Sequence, residues 1–138
     1  MKKIVLVTGA SSGIGKQLAL DLEHNGHSVF STYFESGAQS EIKGVQIRYN
    51  AKEDALDLDQ LPETLDGLVY CPGSITLSPF HRIKSEAFIE DYKLQVLGAV
   101  NSLQQCYPKL KAAENPSVVL FSTVAVQNGF NFHSKSSI

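Results

Sequence analysis

Five short apolar segments recur along the chain, and each is bounded by glycine, proline or charged residues. Segments of this length that are rich in valine, isoleucine, phenylalanine and tyrosine are typical of β-strands. The pattern therefore predicts five strands, at residues 4–7, 28–33, 45–49, 68–71 and 118–123.

Apolar residues spaced three or four apart lie between these strands and predict helices. A first helix, which Asn25-Gly26 would end, carries its apolar stripe at Ile14, Leu18 and Leu22. Residues 55–65 predict a short helix broken at Pro62. A long helix that begins near Ser85 carries its stripe at Val96, Val100, Leu103, Tyr107 and Leu110.

Strands that alternate with helices indicate a parallel sheet whose crossover connections place helices on both faces. We therefore expect an α/β fold, a Rossmann-like parallel sheet of about five strands, with a ligand at the carboxyl ends of the strands. Residues 34–44 leave room for only about two turns of helix between the second and third strands. This connection is expected to be a shortened crossover.

A glycine-rich motif, with Gly9, Gly13 and Gly15, joins the first predicted strand to the first predicted helix. These glycines allow a sharp turn, a close approach of the backbone to a pyrophosphate, and close packing of the helix on the strand. Amide groups of the first helical turn would bind the phosphates. The candidate cofactor-binding residues here are Gly9, Ser11, Ser12, Gly13, Ile14 and Gly15. A flexible glycine-serine turn is the alternative, which the strand before the motif and the helix after it disfavour.

Composition and charge narrow the classes of partner. The 138 residues, 43% of them hydrophobic, suffice for one domain that spans residues 1–138 and has its own core. The net charge is −2, with acids and bases mixed along the chain. This distribution argues against nucleic acid and membranes as partners. We expect a small-molecule ligand.

The amino-terminal sequence and the cysteines indicate the cellular compartment, and the histidines bear on metal binding. The apolar run after Met1 is too short for a signal peptide, and Cys71 and Cys106 form no C-x-x-C pair. Both observations predict a cytoplasmic protein with reduced, packed thiols. Because no two histidines have i, i+4 spacing with a supporting carboxylate, we expect no metal site.

The motif Val7-Thr8-Gly9-Ala10-Ser11-Ser12-Gly13-Ile14-Gly15 resembles the start of the short-chain dehydrogenase/reductase family. The resemblance covers nearly the whole chain and implies hydride transfer between a nicotinamide cofactor and a carbonyl or alcohol substrate. Where NAD-preferring members carry an aspartate for the ribose hydroxyls, this chain has Tyr33. The missing carboxylate favours NADP. The arginine that commonly binds the 2′-phosphate is missing as well, so NAD stays open.

The resemblance implies further site residues beyond the glycine motif. Asn50 takes the position of the family's aspartate beside the adenine, and Gly73 keeps the last residue of the N-N-A-G motif. Both are therefore candidate cofactor-binding residues, as is Tyr33. Gln95 takes the position of the catalytic asparagine, which orders a proton-relay water. Thr123 takes that of the hydroxyl residue that polarises the substrate carbonyl.

The family's Y-x-x-x-K motif is not matched. In family members the tyrosine is the general acid and base, and the lysine lowers its pKa and holds the ribose. The position of the tyrosine falls on Ser136, and that of the lysine falls beyond Ile138. Losing a positioned acid and base costs about 10²–10⁴-fold in rate. Three interpretations stay open: a weakly active oxidoreductase, a non-catalytic dinucleotide-binding module, and a degenerate fragment that self-associates.

The resemblance also implies that the sheet lacks the C-terminal strands of the family. The fifth strand would then form an open edge, and its run Val118-Val119-Leu120-Phe121 is apolar. Exposed apolar edge strands tend to pair with other chains. We therefore expect a homo-oligomer.

Overall fold

Five parallel strands form one sheet in the computed structural model, which describes residues 1–137. The strands are β1 (Ile4–Thr8), β2 (Ser28–Tyr33), β3 (Val45–Arg48), β4 (Gly67–Tyr70) and β5 (Ser117–Leu120). They lie in the order β3-β2-β1-β4-β5, and all neighbouring pairs are parallel. The predicted strands and the Rossmann-like fold class are confirmed.

Three α-helices accompany the sheet within these residues: α1 (Gly13–His24), α2 (Ser85–Tyr92) and α3 (Gly98–Lys111). A π-helical turn, Lys93–Leu97, joins α2 directly to α3. In this turn the Gly98 N–H donates to the carbonyl of Lys93, five residues back. The predicted long helix is therefore one continuous helical segment with a wider turn inside it.

Each face of the sheet carries its own core, because successive residues of a strand point to opposite faces. On one face, Val5 of β1 belongs to a cluster that includes Ala19 of α1. On the other face, Leu6 belongs to a cluster that includes Cys106 and Leu110 of α3. Helices thus cover both faces of the sheet, as expected.

The buried faces of α1 and α3 differ from the predicted stripes. Ile14 is 64% exposed at the start of α1, where the buried residues are Gly15 and Ala19. The buried residues of α3 are Gly98, Ser102, Cys106 and Leu110. Three members of the predicted stripe, Val96, Val100 and Tyr107, point outward and are exposed. The stripe prediction was therefore wrong for these positions.

Two tyrosines, Tyr49 just after β3 and Tyr70 at the end of β4, explain why α3 buries small residues. Tyr49 Oη lies 2.9 Å from Ser102 Oγ, and both side chains are buried. Tyr70 Oη donates to the carbonyl of Leu94, and a Cβ atom at Gly98 would overlap Tyr70 Oη. The sheet supplies the large side chains of this layer and the helix supplies the small ones.

The predicted helix over residues 55–65 was wrong. A single 3₁₀ turn, Leu58–Gln60, forms there. Asp57 caps this turn, its side chain accepting a hydrogen bond from the Asp59 N–H at 3.2 Å. Asp57 and Pro62 favour a capped turn and a break over a continued helix. Leu56, Leu61 and Leu65 are nevertheless buried, so the leucines pack from an irregular segment.

The connection between β2 and β3 is short, as expected, and contains turns in place of a helix. Ile42 is buried within it. The Glu23 carboxylate at the end of α1 accepts hydrogen bonds from the N–H groups of Lys43 and Gly44. Gln46 of β3 donates to the carbonyl of Ile42. These contacts hold the connection against one edge of the sheet.

The other edge of the sheet is β5, as expected. Its residues Val118, Val119 and Leu120 are 42%, 44% and 57% exposed. Residues 117–132 contain no charged side chain. We call residues 117–121 the β5 edge.

Candidate functional site

The strand order reverses beside β1, because β2 and β3 lie on one side of it and β4 and β5 on the other. In open α/β sheets a ligand binds at the carboxyl ends of the strands at such a point. Two segments leave the sheet there. They are the glycine loop (residues 9–15), which follows β1, and the β4 loop (residues 71–74).

The glycine loop packs so closely that side chains are excluded at two positions. A Cβ atom at Gly9 would lie 2.7 Å from the backbone nitrogen of Pro72 in the β4 loop, and Gly9 has a φ of +70°. A Cβ atom at Gly15 would overlap the carbonyl oxygen of Gly9. The absence of a side chain thus permits the sharp turn at Gly9 and the close packing at Gly15.

Thr32 anchors the start of the glycine loop. The Gly9 N–H donates to Thr32 Oγ1 at 3.0 Å, and the Ala10 N–H donates to the Thr32 carbonyl at 2.8 Å. Thr32 was not predicted as a site residue. A polar residue inside the apolar strand β2 was the available signal, because a buried hydroxyl needs a hydrogen-bond partner.

The amino terminus of α1 lies in the glycine loop. Ser12 precedes the helix in an extended conformation, and its side chain makes no capping hydrogen bond to any described residue. Ser12, Gly13 and Ile14 are exposed and Ser11 is half-buried. Gly13 has a φ of +57°, and a Cβ atom there would meet nothing within 4 Å among these residues. The arrangement leaves open space beside the positive end of the helix dipole, which suits a phosphate.

The end of β2 carries Tyr33, which is half-buried, followed by Phe34. The guanidinium carbon of Arg48, at the end of β3, lies 4.9 Å from the centroid of the Phe34 ring. Arg48 Nη1 is also 3.9 Å from Asp54 Oδ2. A positive charge therefore lies beside the β2 end, and it comes from a strand that was not predicted to supply one. The parallel register of Tyr33 with Arg48 explains this placement.

Asn50 follows β3, and its side chain takes part in a local turn. Its Oδ1 accepts from the Lys52 N–H at 3.1 Å, and its Nδ2 donates to Glu53 Oε2 at 3.5 Å. The side chain is buried to a relative exposure of 9%. These bonds shape the turn after β3, and the long contact to Glu53 leaves the amide group able to rearrange towards a ligand.

Gln95 connects the π-helical turn to the β4 loop. Its Nε2 donates to the Ser74 carbonyl at 3.2 Å and to Asp91 Oδ1 at 3.4 Å. Gly73, the exposed residue before Ser74, would accept a Cβ atom with ordinary contacts, the nearest being Gln95 Oε1 at 3.7 Å. The structure therefore brings Gln95 and Gly73 together at the carboxyl edge of the sheet.

Thr123 lies just after β5 and begins a 3₁₀ turn, Val124–Val126. Its Oγ1 accepts a hydrogen bond from the Ala125 N–H at 3.2 Å. Within residues 1–137 the Thr123 and Gln95 side chains are not hydrogen-bonded to each other. As an acceptor in this cap, the hydroxyl keeps its proton available for donation to a ligand.

Both cysteines are free thiols. Burial raises the pKa of Cys71 and of Cys106 to about 11, so both are protonated at neutral pH. No group of three histidine, cysteine or acidic side chains with metal-binding geometry occurs in the described part of the chain. None of the helices described for residues 1–137 has the length and hydropathy needed to cross a bilayer.

Two shallow grooves lie away from the glycine loop. One, of about 330 Å³, includes Thr64, just before β4, and Lys109 near the end of α3. The other, of about 410 Å³, includes Ser28 and Val45 at the amino ends of β2 and β3. Ligands of parallel α/β sheets bind at the opposite, carboxyl edge, so neither groove is our candidate site.

A parallel sheet that reverses its strand order beside a glycine-rich loop defines a Rossmann-like α/β protein. The sequence profile of the short chain dehydrogenase family matches residues 3–135. The chain therefore belongs to the short-chain dehydrogenase family, which confirms the resemblance stated from the sequence.

Individual relatives are distant. The 3-oxoacyl-(acyl-carrier-protein) reductase FabG of Staphylococcus aureus strain Mu50 is 25% identical over 140 residues, covering 90% of this chain and 57% of the reductase. A short-chain dehydrogenase from Streptomyces avermitilis has a TM-score of 0.88 at 23% identity, covering 99% of this chain and 55% of that one. A short chain dehydrogenase from Shigella flexneri complexed with NADP has a TM-score of 0.84 at 18% identity, covering 98% and 64%. The chain thus spans little more than half the length of these relatives.

Proposed function

We propose that this chain binds a nicotinamide dinucleotide between the glycine loop and the β4 loop, for hydride transfer involving a small carbonyl or alcohol substrate. The observation that carries the proposal is the contact of the two loops where the strand order reverses, beside the uncapped start of α1. When bound, the nicotinamide ring would supply or accept the hydride. FabG and the NADP complex from Shigella flexneri support this class of function.

The residues around the loops fit such a ligand in three parts. The first-turn amide groups of α1, from Gly13 onward, would hold the pyrophosphate. Tyr33 and Asn50, after β2 and β3, would border the adenosine. Gly73 and Gln95 would border the nicotinamide end, because they lie beyond β4 on the other side of the glycine loop.

NADP is preferred over NAD in this proposal. Tyr33 stands where NAD-preferring members carry an aspartate, so that particular carboxylate, which would repel a 2′-phosphate, is absent. Arg48 adds a guanidinium beside Phe34 in the same region. Guanidinium groups bind phosphates with charge-assisted, bidentate hydrogen bonds. Its contact to Asp54 is long, at 3.9 Å, and Arg48 is largely exposed, so a phosphate could displace it.

Catalysis in this proposal falls to Thr123 and Gln95, with Thr123 donating a hydrogen bond to the substrate carbonyl. Ser136 stands where the family's catalytic tyrosine is expected from the resemblance. A serine does not replace tyrosine as a general acid, so turnover by this chain is expected to be about 10²–10⁴-fold below that of a complete site.

A non-catalytic dinucleotide-binding module is the second candidate function. The observation that favours it is the hydrogen bond from the Gln95 amide to the Ser74 carbonyl. This bond gives Gln95 a role in supporting the β4 loop that requires no turnover. The two candidates share the cofactor site and differ only in turnover.

A homo-oligomer is proposed as the working assembly. The β5 edge and the outward face of α3, with Val100 and Tyr107, are both apolar and exposed. Burial of such surface drives association between subunits.

Calorimetric titration with NADPH and NADH in parallel tests the proposal, after the chain is shown to be folded. Saturable binding of NADPH, tighter than that of NADH, is expected. Binding of neither dinucleotide to a folded sample would refute it. A carbonyl-reduction assay with bound NADPH then separates the enzyme from the non-catalytic module.

A further inference from the structure

Tyr70 joins the end of β4 to the helical segment that carries Gln95. Its side chain is buried to a relative exposure of 5%, and its hydroxyl donates to the carbonyl of Leu94. Burial raises the pKa of Tyr70 well above its ordinary value, so the hydroxyl keeps its proton at neutral pH. This donor is therefore present under all ordinary conditions.

The helix accommodates Tyr70 at the point where its hydrogen-bond pattern changes. Leu94 lies in the π-helical turn Lys93–Leu97, and Gly98 follows the turn. A Cβ atom at Gly98 would overlap Tyr70 Oη, so the missing side chain makes room for the tyrosine hydroxyl. π-helical turns are often associated with functional sites.

The same turn reaches back to the β4 loop through the residue after Leu94. Gln95 Nε2 donates to the carbonyl of Ser74 at 3.2 Å. Tyr70 is the last residue of β4, and Ser74 is four residues further along the chain. Two hydrogen bonds of opposite direction thus tie the two ends of the β4 loop to neighbouring residues of one helical turn.

We propose that Tyr70 and Gln95 form a clasp that positions the β4 loop, and with it Gly73, for the dinucleotide. This inference rests on the proposed function. Tyr70 is a positioning residue, because it acts on the ligand through Leu94 and the loop. Gln95 positions the loop through Ser74, in addition to any contact it makes with a substrate.

The test compares Tyr70→Phe with Tyr49→Phe. Both substitutions remove a hydroxyl from a buried tyrosine in the same core, but Tyr49 bonds to Ser102 and not to the π-helical turn. We expect Tyr70→Phe to weaken NADPH binding about three- to tenfold, as loss of a neutral hydrogen bond would. Tyr49→Phe should leave the NADPH affinity unchanged. Unfolding in urea, measured for both variants, shows whether their stability losses match.

Gln95→Ala tests the other half of the clasp. It should weaken NADPH binding by a similar factor. The double variant Tyr70→Phe/Gln95→Ala should bind NADPH with about the affinity of the weaker-binding single variant, because both residues act through one loop. Fully additive losses, or equal NADPH affinities of Tyr70→Phe and Tyr49→Phe, would overturn the clasp.

Amide hydrogen exchange tests the clasp without any cofactor. Amides of residues 93–98 should exchange faster in Tyr70→Phe than in Tyr49→Phe, since only the first loses the bond to Leu94. Equal exchange in the two variants would overturn the inference. Failure of the parent chain to bind NADPH would refute the proposed function, while the exchange comparison would still decide whether Tyr70 holds the turn.

Discussion

At the scale of single residues, Arg48 has the charge that bears most directly on the choice between NADP and NAD. We predict that Arg48→Gln weakens NADPH binding by about tenfold or more, because a hydrogen bond to a charged group contributes about 1.5–3 kcal/mol. NADH affinity should not change. Lys111→Gln, which removes the same charge at the end of α3, is the control. Calorimetric titration of both variants with both cofactors measures this, and an equal loss for NADPH and NADH would contradict it.

A second prediction at the scale of single residues concerns the effect of Gly98 on stability. Alanine in place of glycine normally stabilises a helix by about 1 kcal/mol. Here we expect Gly98→Ala to destabilise the fold by about 1–3 kcal/mol, because the new methyl group overlaps Tyr70 Oη. Adding Tyr70→Phe should recover part of the loss. Urea denaturation of the two single variants and the double variant measures the coupling, and strict additivity would show that no overlap occurs.

The buried thiols predict how stability depends on pH. Because burial raises the pKa of Cys71 and Cys106 to about 11, the unfolded chain releases these protons at lower pH than the folded chain does. Stability is therefore fully present below about pH 8.5 and falls as pH rises towards 11, by up to about 1.4 kcal/mol per pH unit for each thiol. Cys106→Ala should flatten this slope in urea denaturation at pH 8 to 11. An unchanged slope would mean that Cys106 does not titrate as described.

At the scale of elements, the strands were predictable because their apolar runs are short and clearly bounded. Helix α1 was predictable from its glycine motif and from Asn25-Gly26, at which it ends. The inward face of α3 was not predictable, because Gly98 and Ser102 pack against tyrosines that are distant in sequence, Tyr70 and Tyr49. The helix prediction for residues 55–65 was wrong for a local reason, because Asp57 caps a short 3₁₀ turn.

The two edge strands of the sheet make a matched prediction about assembly. Val119 of β5 and Val45 of β3 are both 44% exposed. The β3 edge is held by the connection before it and carries Arg48, whereas the β5 edge has no charged residue. We predict that the chain self-associates and that Val119→Lys shifts it towards monomer, while Val45→Lys does not. Sedimentation velocity measures this, and a monomeric parent chain or equal effects of the two lysines would contradict it.

At the scale of the whole molecule, the site is assembled from segments that are far apart in sequence. The glycine motif alone predicted the glycine loop as the candidate phosphate site, and the resemblance named Gly73 and Gln95, which the structure brings together. Arg48, Thr32 and Tyr70 were not predictable as site residues. Each lies at the candidate site through strand register or a tertiary hydrogen bond that no local pattern encodes.

The most direct test of the central claim uses the two glycines at opposite ends of α1. Gly13 and Gly26 both have positive φ, and a Cβ atom at either would meet nothing within 4 Å among residues 1–137. Alanine at each should cost about 1–2 kcal/mol of stability. Calorimetric titration with NADPH should show saturable binding to the parent chain and to Gly26→Ala, and at least tenfold weaker binding to Gly13→Ala. No binding by the folded parent chain, or equal binding by the two variants, would contradict a dinucleotide site in the glycine loop.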